Sequence, residues 1–443
     1  MNPLNVLYIH SHDTGRYIQP YGYPVATSNL QRLAEQGVLF RQNFCVNPTC
    51  SASRSALLTG SYPHNNGMVG LAHRGFALHD YHQHLVQFLR AAGYFCALSG
   101  VQHEASRQGH RPAWQVIGYQ DQLAEAERAH TAAVHFLQES PPRPFFLSVG
   151  FFETHREFPE EGEIADDPRY CLPPPPLPDL PLMRLDMARF KASARRLDHK
   201  IGAVLDALDA SGLAENTLVI CTTDHGMAFP RMKCNLQDSG TGTFLILRGP
   251  LAERWRPISG LNGGKVIDAM TSHLDLFPTL CDLLELDPPA WLQGCSLLPL
   301  VRGEVEALHE TLFFEVNYHA AYEPLRAVRT QRWKYIRRFD GRNRPVLPNC
   351  DDSLSKTLWL EQGWADSWQP TELLYDLLID PNESANLAGD PAFQGVLQEM
   401  RARLENWMHE THDPLLLGPV PAPPGAVVND VNGLSPNDPV RPI

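Results

Sequence analysis

Four short apolar segments of the chain each end in a polar side chain that can bind a metal ion or transfer a proton. The segments are residues 5–10, 94–100, 144–150 and 217–223, followed respectively by Asp13, His103, His155 and the pair Asp224 and His225. Their length and composition are typical of buried β-strands. Helix-like stretches separate them, which predicts an α/β fold with a large, mostly parallel sheet flanked by helices. Because ligands gather where parallel strands end, these side chains are expected to form one site.

The alternation of strand-like and helix-like segments ends at about residue 305. Four strand-like runs separated by turns follow, at residues 311–316, 325–329, 333–337 and 372–377. They predict a smaller antiparallel sheet, and the amphipathic stretch 393–409 predicts a helix beside it.

Chain length and these patterns divide the 443 residues into three expected units. A catalytic α/β domain is predicted over residues 1–305, an α+β subdomain over residues 306–413, and an irregular C-terminal arm over residues 414–443. The arm is a candidate contact for a homo-oligomer. Within the first unit, residues 124–137 are predicted to form one helix.

Charge and cysteine content restrict the partners and the compartment. The formal net charge of −13 argues against a nucleic-acid partner and against an anionic membrane surface. The nine cysteines are scattered and show no metal-knuckle spacing, which favours a reducing compartment over a disulfide framework. With no signal-like or membrane-spanning segment in the sequence, a cytoplasmic location is expected.

The segment around Cys50 combines a thiol with a guanidinium. Cys50 lies four residues before Arg54, where a loop containing Pro48 gives way to a helix-like run. Helix N-terminal amides and an arginine side chain are well suited to hold a tetrahedral anion. A buried structural cysteine beside a surface arginine is the alternative.

The sequence CSASR at residues 50–54, with LLTG at 57–60, resembles the signature of type I sulfatases. In that family the cysteine is oxidised to formylglycine by a maturation enzyme, and the fold is alkaline-phosphatase-like. Residues 372–387 resemble the C-terminal segment of the family, while residues 66–71 and 224–235 resemble heparan N-sulfatases (sulfamidases). The resemblance therefore implies a hydrolase of sulfate esters or sulfamates, acting on a sulfated sugar.

The resemblance also implies a role for each candidate residue. One divalent metal ion, with Ca²⁺ expected ahead of Mn²⁺ or Mg²⁺, would be bound by Asp13, Cys50, Asp224 and His225, and His12 is a further candidate ligand. In the catalytic set, Cys50 is the precursor of the nucleophile and Arg54 binds it. His155 and Lys233 are candidates for the acid that protonates the leaving group, and His103 is the base that releases sulfate.

Three departures from the family pattern leave the substrate open. The family usually has two adjacent aspartates where this chain has His12 and Asp13, and a lysine at the position of Val101. The pair Asp224 and His225 replaces Asp-Asn and is similar to phosphonate monoester hydrolases. A phosphonate monoester or phosphodiester hydrolase is thus the first alternative to a sulfatase. An inactive binding protein with unmodified Cys50 is the second alternative. The histidine-rich residues 73–84 could contact substrate or only solvent.

Overall fold

A nine-stranded sheet forms the centre of the computed structural model, which describes residues 3–159, 166–255 and 260–442. Its strands are β1 (Asn5–Ser11), β2 (Val38–Phe44), β3 (Phe95–Gly100), β4 (Asp121–Ala124), β5 (Phe145–Gly150), β6 (Thr217–Thr223), β7 (Gly242–Thr243), β8 (Leu245–Arg248) and β9 (Lys265–Ser272). The strand order is β4-β3-β5-β1-β6-β8-β2-β7, with β9 also paired to β2. The predicted large and mostly parallel sheet is confirmed.

Strand β1 lies between β5 and β6 and runs parallel to both. All seven of its residues are buried, which explains its continuous apolar sequence. Tyr8 pairs with Ser148 on one side and with Ile220 on the other, so the carboxyl ends of the three strands lie side by side. Strand β8 runs antiparallel to β6 and to β2, and it departs from the parallel pattern.

Helices cover both faces of the sheet. They are α1 (Ser28–Gln36), α2 (Cys50–Thr59), α3 (Pro63–Asn66), α4 (Leu85–Ala91), α5 (Ala113–Ile117), α6 (Ala129–Gln138), α7 (Pro181–Ala210), α8 (Asp238–Thr241), α9 (Leu276–Leu284) and α10 (Leu298–Arg302). Alternate residues of β1 point to opposite faces. Val6 and Tyr8 join the core beneath α2, α4 and α9, whereas Leu7 and Ile9 join the core beneath α1, α6 and α7.

The second sheet contains the strands predicted after residue 305. They are β10 (Leu312–Tyr318), β11 (Tyr322–Arg329), β12 (Trp333–Arg338) and β13 (Glu372–Asp376), all antiparallel in this order. Helix α11 (Leu354–Glu361) precedes β13, and helix α12 (Gln394–Glu410) packs Leu397, Leu404 and Trp407 against the sheet. The smaller antiparallel sheet with its helix is therefore also confirmed.

The C-terminal residues lie on the rest of the chain. They contain a two-stranded sheet of β14 (Val427–Asn429) and β15 (Val440–Pro442). The Arg74 guanidinium donates to the Asn429 side chain at 2.7 Å, which fixes this hairpin beside the segment after α3. The boundaries of the three units stay predictions.

The single helix predicted over residues 124–137 is wrong over its first five residues. Residues 121–124 form β4, which pairs with β3 at the edge of the sheet, and α6 begins only at Ala129 after a 3₁₀ turn. Pairing with an exposed strand edge outweighs the moderate helix preference of this short segment. Among the described residues, no helix is both long and apolar enough to cross a membrane.

A buried ion cluster joins the second sheet to the end of α12. The Arg326 side chain is fully buried and donates to both carboxylate oxygens of Asp413, at 2.5 and 2.9 Å, and to the Asn317 side chain at 3.0 Å. The carboxylate of Glu315 lies 3.5 Å away. A buried guanidinium is tolerated here because each of its groups has an acceptor within reach.

We predict that Asp413→Asn lowers the free energy of unfolding by about 3–5 kcal/mol, because it leaves a buried guanidinium short of its charge partner. Asparagine keeps the ability to cap the turn at Leu415, so the loss reports the ion pair. Urea unfolding measures the change. Asp206→Asn is the matched control, since its pair with Arg32 is exposed and the substitution should be nearly neutral. Equal losses in the two variants would contradict the prediction.

Candidate active site

The ends of β1, β5 and β6 bring three predicted site residues to one edge of the sheet. Asp13 follows β1, His155 follows β5, and Asp224 follows β6 directly. The Asp13 backbone amide donates to the Asp224 carboxylate at 2.9 Å, and the His12 amide donates to the carbonyl of Glu153 at 2.9 Å. Asp13 adopts a left-handed conformation with φ 53°, a conformation rare for residues other than glycine, which is held by these contacts.

Cys50 is the first residue of α2, and its thiol is buried at the same edge. Every residue of this helix is buried, which its small Ser and Ala side chains permit. The helix ends at Gly60, where φ is 67° and an added Cβ would lie 2.4 Å from a methyl carbon of Leu292. The helix N-terminus therefore points into the protein, with Cys50 at the place where backbone amides favour an anion.

Arg54 lies one turn further along α2 and is almost fully buried. One of its terminal nitrogens donates to the Asp224 carboxylate at 3.0 Å and to the carbonyl of Ser11 at 2.8 Å, and the other donates to His10 Nδ1 at 2.5 Å. Burial alone would raise the pKa of Asp224, but His225, Arg54 and His12 outweigh it and hold this pKa well below its ordinary value. The Asp224 carboxylate is thus ionised at neutral pH.

Lys233 lies between two carboxylates, one of which the sequence did not reveal. Its ammonium donates to Asp13 Oδ2 at 3.0 Å and to Asp351 Oδ2 at 2.9 Å. Burial lowers the pKa of Lys233, but the two carboxylates outweigh burial and raise this pKa well above its ordinary value. Asp351 lies beyond the second sheet's third strand, in an irregular stretch without a strand end or motif, so no sequence signal marked it.

Side-chain atoms of His225, Asp13 and Cys50 converge at one point of the site. His225 Nδ1 lies 3.0 Å from the carbonyl oxygen of Gly226. On the other side of the ring, Nε2 lies 3.3 Å from Asp13 Oδ1 and 3.4 Å from Cys50 Sγ. Asp13 Oδ1 and His12 Nε2 are buried and have no hydrogen-bond partner.

These residues fit a divalent cation. Ligand atoms of His12, Asp13, Cys50 and Asp224 all lie within 4.8 Å of one another. Burial, and next the charge of Arg54, lower the pKa of His12 to about 4, so its imidazole is neutral at pH 7 and can act as a ligand. His12 Nδ1 lies 3.1 Å from Asp224 Oδ2, so the imidazole borders the same cluster of carboxylates.

His103 and His155 complete the predicted set. The ring centroids of both lie near that of His12, at 6.1 Å for His103 and 5.7 Å for His155. His155 Nε2 is 3.4 Å from Lys233 Nζ. His103 Nε2 is 2.8 Å from His73 Nδ1, and the two rings stack. All the predicted candidates therefore lie together, although their distances could not be predicted from the sequence.

The histidines of the histidine-rich segment, residues 73–84, lie in different environments. His73 contacts His103, but His84 is fully buried and caps α4 by accepting from the amide of Val86. Burial lowers the pKa of His84 to about 3, as expected for a neutral structural histidine. His79 and His82 are exposed side chains. A run of histidines in the sequence therefore contained one active-site neighbour and one helix cap.

Residues 4–286 match the family model described as Sulfatase, and residues 246–347 match the model described as N-sulphoglucosamine sulphohydrolase, C-terminal. The chain belongs to the sulfatase family. It is 30% identical to the human N-sulphoglucosamine sulphohydrolase over 94% of this chain and 92% of that protein. The expected enzyme class, a sulfatase of the hydrolases, is thereby confirmed.

Solved structures support the fold. A structure described as a 2-O GAG sulfatase superposes with a TM-score of 0.72 at 22% identity, covering 99% of this chain and all of that one. The phosphonate monoester hydrolase of Agrobacterium radiobacter superposes with a TM-score of 0.70 at 21% identity, covering 95% of this chain and all of that one. The alkaline-phosphatase-like architecture expected of the sulfatase family is confirmed.

We predict that Ca²⁺ or Mn²⁺ stabilises the protein and that Asp13→Asn abolishes the effect, because the variant removes a charged ligand. An ion at a hundred times its Kd adds about 2.7 kcal/mol to the free energy of unfolding. Thermal unfolding with and without each ion measures the shift. The Asp206→Asn variant, altered at an exposed carboxylate, should keep the full shift. A shift retained by Asp13→Asn would rule out this cation site.

Proposed function

We propose that the protein hydrolyses the sulfate ester or sulfamate group of a sulfated saccharide, using formylglycine derived from Cys50 and one divalent metal ion. The observation that carries the proposal is the convergence of the Cys50 thiol with Asp13 and His225 at the buried N-terminus of α2. The similarity to a human N-sulphoglucosamine sulphohydrolase and to a 2-O GAG sulfatase supports a saccharide substrate.

The position of Cys50 suits an oxygen nucleophile better than a thiolate. Burial raises the pKa of the Cys50 thiol well above its ordinary value, so the unmodified side chain is protonated and a weak nucleophile at neutral pH. Converted to formylglycine and hydrated, the side chain supplies two hydroxyl groups, one to attack sulfur and one whose deprotonation expels sulfate. Arg54 and the amides at the start of α2 orient this side chain and stabilise the negative charge.

Asp13 and Asp224, together with His12 and His225, would hold the metal ion. The ion would lower the pKa of the attacking hydroxyl and neutralise charge on the sulfate oxygens. Carboxylate oxygens favour Ca²⁺, whereas two imidazoles in the same set make Mn²⁺ its main rival. Metal analysis of the protein from its natural host separates the two ions.

Two proton transfers are assigned to the neighbouring cations and histidines. Lys233 stays protonated between Asp13 and Asp351, and with His155 it forms the acid that protonates the leaving oxygen or nitrogen. Burial, and next the charges of His12 and His73, lower the pKa of His103 well below its ordinary value. A neutral His103 can accept the proton of the second hydroxyl, which releases sulfate.

We also propose that the protein is located in the cytoplasm, which is a reducing compartment. All nine cysteines are free, and seven of them are buried. Free thiols persist in the reducing conditions of the cytoplasm. The maturation enzyme and any homo-oligomer likewise stay proposals.

Cys50→Ser should form a covalent sulfated enzyme and then stop. A serine hydroxyl can attack sulfur once, but it has no second hydroxyl whose proton loss would expel sulfate. Intact-protein mass spectrometry after incubation with an aryl sulfate should show one added sulfate per chain. The control is Cys50→Ala, which should show none. Steady turnover by purified Cys50→Ser that still contains serine at this position would contradict the proposed mechanism.

His225 favours a second candidate, because an imidazole stands where most sulfatases have an amide, as in phosphonate monoester hydrolases. We expect kcat/KM for an N-sulfated glucosamine or an aryl sulfate to exceed that for a phenyl phosphonate ester by at least about tenfold, equivalent to about 1.4 kcal/mol. Steady-state kinetics on the three substrates tests this. The opposite order would make phosphonate hydrolysis the principal activity.

An inactive binding protein is the remaining alternative. Mass spectrometry of the peptide that contains Cys50 distinguishes it, since formylglycine and cysteine differ in mass. An intact thiol in protein from the natural host would overturn the proposed chemistry.

A further inference from the structure

A second cluster of metal-binding side chains lies outside the catalytic set. Asp275, Cys295 and His309 each offer one ligand atom, and these atoms lie within 4.8 Å of one another. They come from three separate segments: the turn before α9, the loop before α10, and the connector that leads into β10. None of the three belongs to the sulfatase signature or to the candidate active site.

We propose that Asp275, Cys295 and His309 bind a zinc ion, with water as the fourth ligand. His309 Nε2 lies 2.9 Å from Asp275 Oδ2 and 3.5 Å from Cys295 Sγ, and Cys295 Sγ lies 3.8 Å from Asp275 Oδ1. A tetrahedral zinc ion bound to nitrogen, oxygen and sulfur would separate neighbouring ligand atoms by roughly 3.3–3.6 Å. The two separations from His309 Nε2, 2.9 Å to Asp275 Oδ2 and 3.5 Å to Cys295 Sγ, lie within about half an ångström of these values.

Backbone contacts hold two of the ligands in place. Asp275 is fully buried, and its carboxylate accepts from the amide of Ser272 at 2.8 Å and from the amide of Cys295 at 3.0 Å. Gly294 permits this approach, because an added Cβ would lie 2.2 Å from the carbonyl oxygen of Leu274. Such second contacts orient metal ligands and reduce the reorganisation that binding requires.

Solvent can reach the cluster beside His309 and Cys295. The His309 side chain is 19% exposed, and Cys295 is half-buried. Water can therefore complete the coordination, as in zinc sites with three protein ligands. A set of one thiolate, one imidazole and one carboxylate matches the mixed preference of Zn²⁺ better than that of Ca²⁺ or Mg²⁺.

Without an ion, the same atoms form a hydrogen-bonded ion pair. Burial lowers the pKa of His309, but Asp275 and Cys295 outweigh burial and raise it to about 10. Zinc binding would release the imidazolium proton of His309 and the thiol proton of Cys295 to solvent. The ion would join the connector at His309 to the catalytic domain, next to the start of the second sheet.

The test uses Co²⁺ as a spectroscopic probe in the full-length Cys50→Ala chain, whose active site offers the ion no cysteine sulfur. We expect a thiolate-to-cobalt charge-transfer band, bleached by one equivalent of Zn²⁺ and lost in Cys50→Ala/Cys295→Ser. The matched control is Cys50→Ala/Cys281→Ser, since Cys281 is buried on α9 and is not a member of the proposed ligand set, and it should keep the band.

Thermal unfolding gives an independent readout. Zn²⁺ should raise the unfolding midpoint of Cys50→Ala, and the rise should be smaller in the Cys295→Ser double variant. Absence of the thiolate band, or its persistence after Cys295→Ser, would overturn the proposal and leave only the His309–Asp275 ion pair. None of these readouts requires sulfatase activity, so they stand apart from the proposed function.

Discussion

The buried pair of Arg54 and Asp224 is the interaction on which the active site depends. It joins α2, which positions Cys50, to the end of β6, which supplies a proposed metal ligand. Removing two charges from water is costly, and the cost is offset only when each charge has close partners. Arg54 has partners in Asp224, Ser11 and His10, while Asp224 accepts from the amides of Asp13 and His225.

This network makes the pieces of the site interdependent. Ser53 donates to the backbone carbonyl of Asp224 at 2.5 Å, so α2 and β6 share a second contact one residue before Arg54. The helix and the two strand ends are therefore joined in one network, which Lys233 extends through its contact with Asp13. Such preorganisation is what electrostatic stabilisation of a developing charge requires.

Much of this arrangement was predictable from sequence because strand ends obey a simple rule. The apolar segments that precede Asp13, His103, His155 and Asp224 identify these residues as lying at strand ends. Parallel pairing places the carboxyl ends of neighbouring strands at one edge of the sheet. The edge strand β4 was missed because its four residues, one exposed and three half-buried, carry no strong pattern. Asp351 was missed for a different reason: its role comes from the docking of the second sheet against the first domain, which no local pattern records.

The complete burial of α2 has a consequence for how the enzyme matures. Cys50 is 2% exposed, and the residues around it lie beneath the sheet edge and the loops that cover it. The thiol of the folded chain is therefore out of reach of another protein. Under the proposed chemistry, oxidation of Cys50 would therefore have to precede closure of the first domain around α2.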